Sequence, residues 1–260
     1  MKNKIKTWTL RFSVTSLFLF GILIGIVLNP SLLYANKTIV DNYTIYHNSP
    51  IDNNLLTQLK NIRPLLEKSE LYDSSLRLDI CLNDDALYPR LMAKVRGPAF
   101  AWGFYNKIVL QGKVHYEDNT LELNGHLWNF EQLLTHEVIH CFQYHKFGLW
   151  GSKPIAQHPN WKWEGYPEYV ARQQQDQQHL YENIEKLLEL EKEDKDAWAF
   201  KFSDGTISPL EYYKDWILVQ YCLEIKQITY LELLDLPTEK EEIEAAMMKW
   251  FHEKKAKVPD

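Results

Sequence analysis

The strongest constraint on this chain is an apolar run near its amino terminus. The run extends from Val14 to Leu28, 15 residues, and ends at the pair Asn29-Pro30. It is apolar on every helical face, so it is not the amphipathic helix of a protein surface. A basic start precedes it, with Lys2, Lys4, Lys6 and Arg11. This order is typical of a secretory signal peptide or a signal anchor, and the run is short for a spanning helix of about 20 residues.

Cleavage and retention of residues 1–35 both stay open at this point. A cut after Ala35 would fit a signal peptide, but Leu33 is large for the position three residues before the cut. The basic end stays inside, which places residues 36–260 outside the cytoplasm. We therefore expect an extracytoplasmic protein, either secreted or periplasmic, or anchored to the membrane by residues 13–28.

The charge of the remaining chain argues against a nucleic-acid partner. The chain has 29 Lys and Arg against 35 Asp and Glu, and four of the basic residues lie in residues 1–35, which contain no acid. Residues 36–260 therefore carry 25 basic and 35 acidic side chains. An acidic body repels a phosphate backbone, so we expect no nucleic-acid binding.

Three cysteines, Cys81, Cys141 and Cys222, leave two alternatives open. An oxidising compartment would permit one disulfide and leave one free thiol. Three unpaired buried thiols fit equally well, because cysteine packs as a small apolar residue.

The sequence predicts strands first and helices later, which is an α+β fold. A helix beginning at Ser49-Pro50, with Ser49 as its N-cap, is expected to run to about Ser69 within a small N-terminal sheet. Strands are predicted from β-rich or alternating patterns at Thr38–Tyr46, Leu76–Leu82, Ala99–Leu110 and Thr120–Leu123. The segment Ala99–Leu110 reads as a strand or hairpin whose edge could accept a peptide as a further strand, or as simple core packing.

From Asn129 onward the pattern becomes helical. Asn129 is predicted to cap a helix through about Lys146, and a loop rich in Gly, Pro and His follows at Gly148–Pro159. Further helices are predicted from Trp163 to Asp194, with a solvated polar middle at Arg172–His179, from a capping box at Ser208-Pro209 to Gln227, and from Thr238 to about Lys257. Residues 36–260 are thus expected to form one domain whose helical half carries the functional site.

The predicted helix after Asn129 contains the pattern HExxH, from His136 to His140. Residues four apart lie on one helix face, so His136 and His140 can present two imidazoles to one metal ion. Glu137 is rotated off this face and can act as a base toward water. The neighbouring residues are largely apolar, and two histidines and a glutamate are costly to bury among them without partners.

A Glu-Gly pair follows 24 residues after His140, within the segment Trp161–Tyr169 (WKWEGYPEY). HExxH followed by W-x-x-E-G-x-x-E-Y resembles the gluzincin zinc metallopeptidases, the thermolysin- and aminopeptidase-like clan, over about residues 129–170. The resemblance implies that His136, His140 and Glu164 bind Zn²⁺ and that Glu137 is the general base. It also implies a peptide or protein substrate.

Three further residues bear on this resemblance. Pro167 stands where the family often has a small residue, so the helix either begins close to Glu164 or is kinked there. Glu168 lies four residues beyond Glu164 and is either a partner of a ligand histidine or a plain surface acid. In gluzincins a Tyr or His from a later helix often stabilises the oxyanion, and here the resemblance implies Tyr212, with Tyr213 as its rival and core packing as the alternative.

Two classes of function therefore remain. One is an exported or membrane-anchored zinc metallopeptidase, and the other is a non-enzymatic zinc-stabilised extracytoplasmic binding domain. Glu137 favours the enzyme, because a structural zinc site needs no base and is closed by a fourth protein ligand. The remaining histidines near the motif, His126, His145 and His158, are expected on the surface or in loops.

Overall fold

The computed structural model describes residues 2–173 and 177–256, with side chains from residue 11 onward. It has mixed helix and strand content, with a sheet region first and a helical half after it. The predicted α+β class is therefore confirmed.

The first helix contains the apolar run and is the only candidate membrane span within the described residues. It covers Lys2–Leu28 (α1), and its window Arg11–Leu28 is long and apolar enough to cross a membrane. A short 3-10 helix, Pro30–Leu33, leads from it to the first strand. By length and composition this helix could be a signal sequence or an anchor, in agreement with both alternatives.

Five short strands form the main sheet in the order β1-β2-β3-β5-β4. They are Asn36–Val40 (β1), Tyr43–His47 (β2), Leu78–Cys81 (β3), Ala101–Phe104 (β4) and Lys107–Leu110 (β5). The three central strands are parallel, whereas the outer strands β1 and β4 run antiparallel to their neighbours. The predicted segment Ala99–Leu110 is thus a hairpin, and β4 is an edge strand.

Helices cover both faces of this sheet. Helix Asn53–Leu66 (α2) packs Leu55, Leu59 and Ile62 into the main core, together with Ile108 of β5. Helix Leu87–Arg96 (α3), which the sequence analysis missed, packs on the opposite side, because Val109 belongs to its cluster and alternate strand residues face opposite ways.

The predicted cap of α2 is wrong. The helix begins at Asn53, and the side chain of Asp52 accepts a hydrogen bond from the backbone N–H of Asn54. The N–H of Ser49 instead donates to the carboxylate of Asp84, which holds this residue in the turn before the helix. Ser49 and Pro50 therefore lie in the turn between β2 and α2 and do not begin the helix.

A second, three-stranded antiparallel sheet leads into the central helix. Its strands are Lys113–His115 (β6), Thr120–Leu123 (β7) and His126–Asn129 (β8), of which only β7 was predicted. Asn129 then accepts a hydrogen bond from the N–H of Gln132 and caps the helix Phe130–Phe147 (α4). The predicted cap is confirmed, and the helix ends one residue beyond Lys146.

The predicted helix from Trp163 to Asp194 is two helices, Asn160–Ala171 (α5) and Leu180–Glu193 (α6). The predicted solvated run between them is exposed only in part: Gln178 and His179 are exposed, whereas Arg172 and Gln177 are buried. The buried side chain of Arg172 forms an ion pair with Glu168. Positions 174–176 of the run lie outside the described residues.

The remaining elements differ from prediction mainly at their ends. Ser208 and Pro209 lie in the strand Ile207–Pro209 (β10), which pairs with Ala199–Lys201 (β9), so Ser208 is not a helix cap. The helix after them covers Leu210–Gln220 (α7) and continues as a π-helix, Tyr221–Ile225. Helices Tyr230–Asp235 (α8), which was missed, and Lys240–Lys255 (α9) follow.

All three cysteines are buried and unpaired. Of the two alternatives left open by the sequence, the structure shows the three packed thiols. The thiol of Cys141 faces the backbone carbonyl of Lys107 at 3.5 Å, between α4 and the sheet.

Candidate metal centre

Helix α4 lies at the centre of the fold and is buried on almost every side from Phe130 to Gln143. Its apolar residues pack against α2, α5 and the main sheet, which explains why so little of this helix is polar. His136 and His140 lie one turn apart and are both buried. Their rings meet edge to face at 4.7 Å, so both imidazoles point to the same place.

Three donor atoms converge there. Nε2 of His140 lies 3.0 Å from Nε2 of His136 and 3.1 Å from Oε2 of Glu164. The third distance, from Nε2 of His136 to the same carboxylate oxygen, is 3.5 Å. Metal–ligand bonds of about 2.0–2.1 Å in a tetrahedral site separate the ligand atoms by roughly 3.3 Å. The three residues therefore form a group that could hold a metal ion.

Glu164 reaches this group because α5 crosses α7 at very close range. A Cβ atom on Gly165 would lie 2.5 Å from the backbone oxygen of Asp215 and 2.8 Å from a methyl group of Val219. Only glycine fits such an approach. This contact gives the Glu-Gly pair a physical meaning, since the glycine lets α5 pack tightly enough to fix the position of Glu164.

Pro167 lies inside α5, which begins at Asn160, so the helix does not begin at Glu164. Proline has no N–H and leaves the carbonyl four residues earlier, that of Trp163, without its helical donor. The side-chain amide of Gln143 supplies a donor, with Nε2 at 2.9 Å from the oxygen of Trp163. Pro167 thus leaves the carbonyl of Trp163 free to accept a hydrogen bond from Gln143 of α4.

This use of Gln143 fixes the orientation of His140. The Nε2 group of Gln143 also donates to the hydroxyl of Tyr230 at 2.6 Å, so its Oε1 is left to accept. Nδ1 of His140 donates to that oxygen at 2.7 Å. With the proton on Nδ1, Nε2 of His140 carries the lone pair that a metal needs.

His136 is oriented by charged groups instead. Its Nδ1 lies 2.9 Å from Oε1 of Glu168, an ion-pair contact whose alignment is poor for a hydrogen bond. Oε2 of the same carboxylate accepts from Nε of Arg172 at 2.5 Å. Arg172 is only 1% exposed and donates a further hydrogen bond to Gln132. Glu168 is therefore a buried partner of His136 rather than a surface acid.

The close approach of these charged groups shifts the pKa values of His136, Glu164 and Glu168. Burial lowers the pKa of His136, but the adjacent carboxylates of Glu164 and Glu168 outweigh burial and raise the pKa to about 10. Burial raises the pKa of Glu168, but Arg172 and His136 outweigh it and lower the pKa to about 2. The two histidines likewise hold the pKa of Glu164 well below its usual range against the effect of burial.

Glu137 faces the edge strand of the main sheet. Burial raises the pKa of this carboxyl, and the adjacent His136 and His140 only partly oppose the shift. The backbone N–H of Gly103 in β4 donates to it. A Cβ atom at Gly103 would lie 2.3 Å from the backbone oxygen of Glu137, so glycine is required for this close approach.

The structure separates the two candidate tyrosines. Tyr212 lines the cleft, and its ring lies 5.9 Å from the ring of His136. Tyr213 lies in the core, where its hydroxyl donates to the backbone oxygen of Asn183 and its ring stacks on Phe200. Burial, together with the nearby Glu164 and Glu137, raises the pKa of Tyr212 far above its usual value, so its phenol keeps its proton.

The other histidines lie away from the donor atoms. His126 is exposed, and His145 forms an ion pair with Asp73 near the surface. His158 in the loop stacks on Trp163 at 5.0 Å.

A cleft of about 300 Å³ opens beside the three donor atoms. Ala101, Trp102 and Gly103 of edge strand β4 line this cleft, and so do Trp163 and Tyr212. Among the described residues β4 pairs with β5 alone, so its other edge is unpaired. The sequence analysis missed Gln143, Arg172 and Gly103, although the spacing of Arg172 four residues after Glu168 on one helix was a readable signal.

Comparison with known proteins adds no relative to this picture. No protein-family model, no curated protein and no solved structure matches the chain.

Proposed function

We propose that the protein is an exported or membrane-anchored zinc metallopeptidase that hydrolyses peptide bonds. The observation that carries the proposal is the convergence of two imidazoles and a carboxylate within hydrogen-bonding distance of each other, with Glu137 beside them. Nitrogen and carboxylate ligands with three protein donors are typical of catalytic zinc sites, which keep one position open. A structural zinc site would need a fourth protein ligand.

The unpaired edge of β4 supports a peptide as the substrate. An extended peptide can add to a sheet edge through main-chain hydrogen bonds, and this edge forms a wall of the cleft. A peptide placed there would pass in front of Glu137, whose carboxylate contacts Gly103 of the same strand. The scissile carbonyl would then lie between β4 and Tyr212.

Each residue has a distinct role in this proposal. His136, His140 and Glu164 would hold zinc, which when bound lowers the pKa of water and polarises a carbonyl. Glu137, with a raised pKa in a buried site, is suited to accept a proton from the attacking water and pass it to the leaving amine. Tyr212, which keeps its proton, would donate a hydrogen bond to the developing oxyanion.

Two substitutions test the proposal on the purified full chain. His140→Ala should remove most of the bound zinc and all hydrolysis of a proteome-derived peptide library. Glu137→Gln should keep zinc but lower hydrolysis by about 10² to 10⁴, the usual contribution of general acid–base catalysis. If the wild-type chain binds zinc stoichiometrically and cleaves no peptide in the library, a zinc-stabilised binding domain replaces the enzyme.

A further inference from the structure

The segment that links the apolar helix to the first strand is part of the folded body. The hydroxyl of Tyr34 donates to the backbone oxygen of Leu82 at 2.8 Å. Its ring packs between those of Tyr46 and Tyr88, with centroids at 5.9 and 6.1 Å. Pro30 is buried as well. A cut after Ala35 would remove these groups from the sheet side that α3 covers.

The last turn of α1 also contacts this side. The hydroxyl of Tyr88 in α3 donates to the backbone oxygen of Val27 at 2.6 Å. Val27 and Leu33 pack against a second hydrophobic cluster, which we call the α3 cluster. Its buried members are Cys81, Tyr88, Met92, Trp102, Phe104 and Val109. Removal of residues 1–35 would expose part of this cluster, which extends to the cleft wall through Trp102.

We propose that residues 1–35 are retained as a membrane anchor and that the exposed face of α3 rests on the anionic surface of that membrane. The depth of the anchor supports this placement. The apolar window has 18 residues and measures about 27 Å as a helix, slightly less than the roughly 30 Å hydrocarbon core. The whole window is needed to span, so Val27 lies at the outer boundary. Tyr88 of α3, whose hydroxyl donates to the backbone oxygen of Val27, then lies at the depth of the headgroups.

The exposed face of α3 has the composition of a membrane-surface helix. Its inner side buries Tyr88, Pro89 and Met92 against the sheet. Its outer side exposes Leu87 and Val95 together with two basic residues, Lys94 and Arg90, the latter 3.5 Å from the exposed carboxylate of Asp85. Arg96 instead lies over the ring of Phe104 and lines the cleft. The helix contains no acid, although residues 36–260 as a whole carry ten more acids than bases. Apolar and basic side chains together fit anionic headgroups.

This placement has a consequence for the substrate, which rests on the proposed function. Helix α3 is about 15 Å long, with Tyr88 near the anchor end and Arg96 in the wall of the cleft. The cleft is therefore held close to the membrane surface. Its substrate class would be polypeptide segments presented there, such as the membrane-adjacent parts of other anchored proteins.

The first test needs no enzymatic activity. The full chain with a carboxyl-terminal tag is expressed in an export-competent host, and its mass and membrane retention after a carbonate wash are measured. We expect an intact chain in the membrane pellet. A soluble product that begins at Asn36 would overturn the proposal.

The second test compares the full chain in nanodiscs of anionic phosphatidylglycerol and of neutral phosphatidylcholine by hydrogen exchange. We expect slower exchange of residues 87–96 in the anionic discs, and loss of this difference in Arg90→Glu/Lys94→Glu. A matched charge reversal on α9, Lys249→Glu/Lys255→Glu, should leave the difference in exchange between the two lipids unchanged. Each basic residue near an anionic surface contributes about fivefold to binding. Equal exchange of α3 in both lipids would overturn its contact with the membrane.

The last arm concerns the substrate. In anionic nanodiscs the wild type should cleave a lipid-tethered peptide faster than the same peptide free in solution. Arg90→Glu/Lys94→Glu should lose this preference and keep its turnover of the free peptide. Equal cleavage of both peptides by the wild type would overturn the inferred substrate class. Failure to cleave either peptide would overturn the proposed peptidase function, while the mass and exchange measurements still decide the anchoring.

Discussion

Gln143 of α4 donates a hydrogen bond to the backbone oxygen of Trp163, the carbonyl that Pro167 leaves without a helical donor. Through its other amide atom Gln143 accepts from Nδ1 of His140 at 2.7 Å. Pro167 and His140 are thus linked through the one buried amide of Gln143. The geometry of α5 and the orientation of His140 depend on each other.

Replacement of Gln143 by leucine should therefore weaken metal binding. Without the amide, the ring of His140 loses the acceptor that holds its proton on Nδ1, and loss of such a partner typically lowers metal affinity about 10- to 100-fold. Competition with a chromophoric chelator measures the affinity for zinc.

The matched control is Gln58→Leu, which removes another buried glutamine, whose amide donates to the backbone oxygen of Tyr116 and to none of the three donor residues. It should lower the free energy of unfolding and leave zinc affinity unchanged. Equal zinc affinities of the wild type and Gln143→Leu would contradict the role of the amide.

Glu168→Gln should destabilise the metal-free protein by about 3–5 kcal/mol, because it leaves the Arg172 guanidinium buried without its carboxylate. Arg172 is 1% exposed, so water cannot replace the lost partner. The double variant Glu168→Gln/Arg172→Met removes both charges and should recover a large part of this loss. Urea unfolding of the wild type, both single variants and the double variant measures the coupling, and additive losses would show that the pair does not act as a unit.

Much of this site could be read from the sequence, and the reasons are local. His136, Glu137 and His140 share one helical turn, Asn129 caps that helix, and the Glu-Gly pair marks the second helix. The helix caps predicted at Ser49 and Ser208 are wrong. The N–H of Ser49 donates to the carboxylate of Asp84, and Ser208 is paired in the strand β10.

Helix α3 could not be predicted for a different reason. It has ten residues, Pro89 in its first turn and no side-chain cap, so its own sequence favours a helix only weakly. Its stability comes from packing Tyr88 and Met92 on the sheet. The role of Gln143 was equally hidden, since it depends on Tyr230, which lies 87 residues away in the chain.

Metal binding should release protons at neutral pH. The pKa of His136 in the metal-free protein is raised to about 10, so this ring is protonated at pH 7.5 and must lose a proton to bind zinc. We expect release of about one proton per chain and roughly tenfold tighter apparent binding per pH unit up to this pKa. Calorimetry in buffers of different ionisation enthalpy counts the protons, and a buffer-independent enthalpy would contradict the prediction.

The raised pKa of His136 also determines how the stability of the metal-free protein changes with pH. A pKa raised from 6.5 in the unfolded chain to about 10 in the fold stabilises the metal-free protein below pH 6.5. This stabilisation is lost as the pH rises from 6.5 toward 10. Glu168 acts at the other end, since its pKa of about 2 contributes stability above pH 4.5 that is lost on acidification.

Gly103→Ala should lower hydrolysis while zinc stays bound. The added Cβ would lie 2.3 Å from the backbone oxygen of Glu137 and 2.9 Å from its carboxylate, so β4 must move away from α4. We expect a loss of about 1–3 kcal/mol in the free energy of unfolding, as for other overpacked sites. Peptide turnover, zinc content and urea unfolding are compared with Ala101→Gly, which leaves the approach open, and unchanged turnover in Gly103→Ala would exclude a role for this spacing.

The two adjacent tyrosines allow the sharpest comparison. Tyr212→Phe removes only the hydroxyl that would donate to the oxyanion, and it should lower kcat by about 10- to 10³-fold with KM and zinc content little changed. Tyr213→Phe removes a hydroxyl that donates to Asn183 in the core, so it should cost about 1 kcal/mol of stability and leave kcat unchanged. The ring of Tyr212 lies beside His136 and keeps its place in the phenylalanine variant. Steady-state kinetics on one library-derived peptide decides between them, because a core role for both tyrosines predicts equal kcat in the two variants.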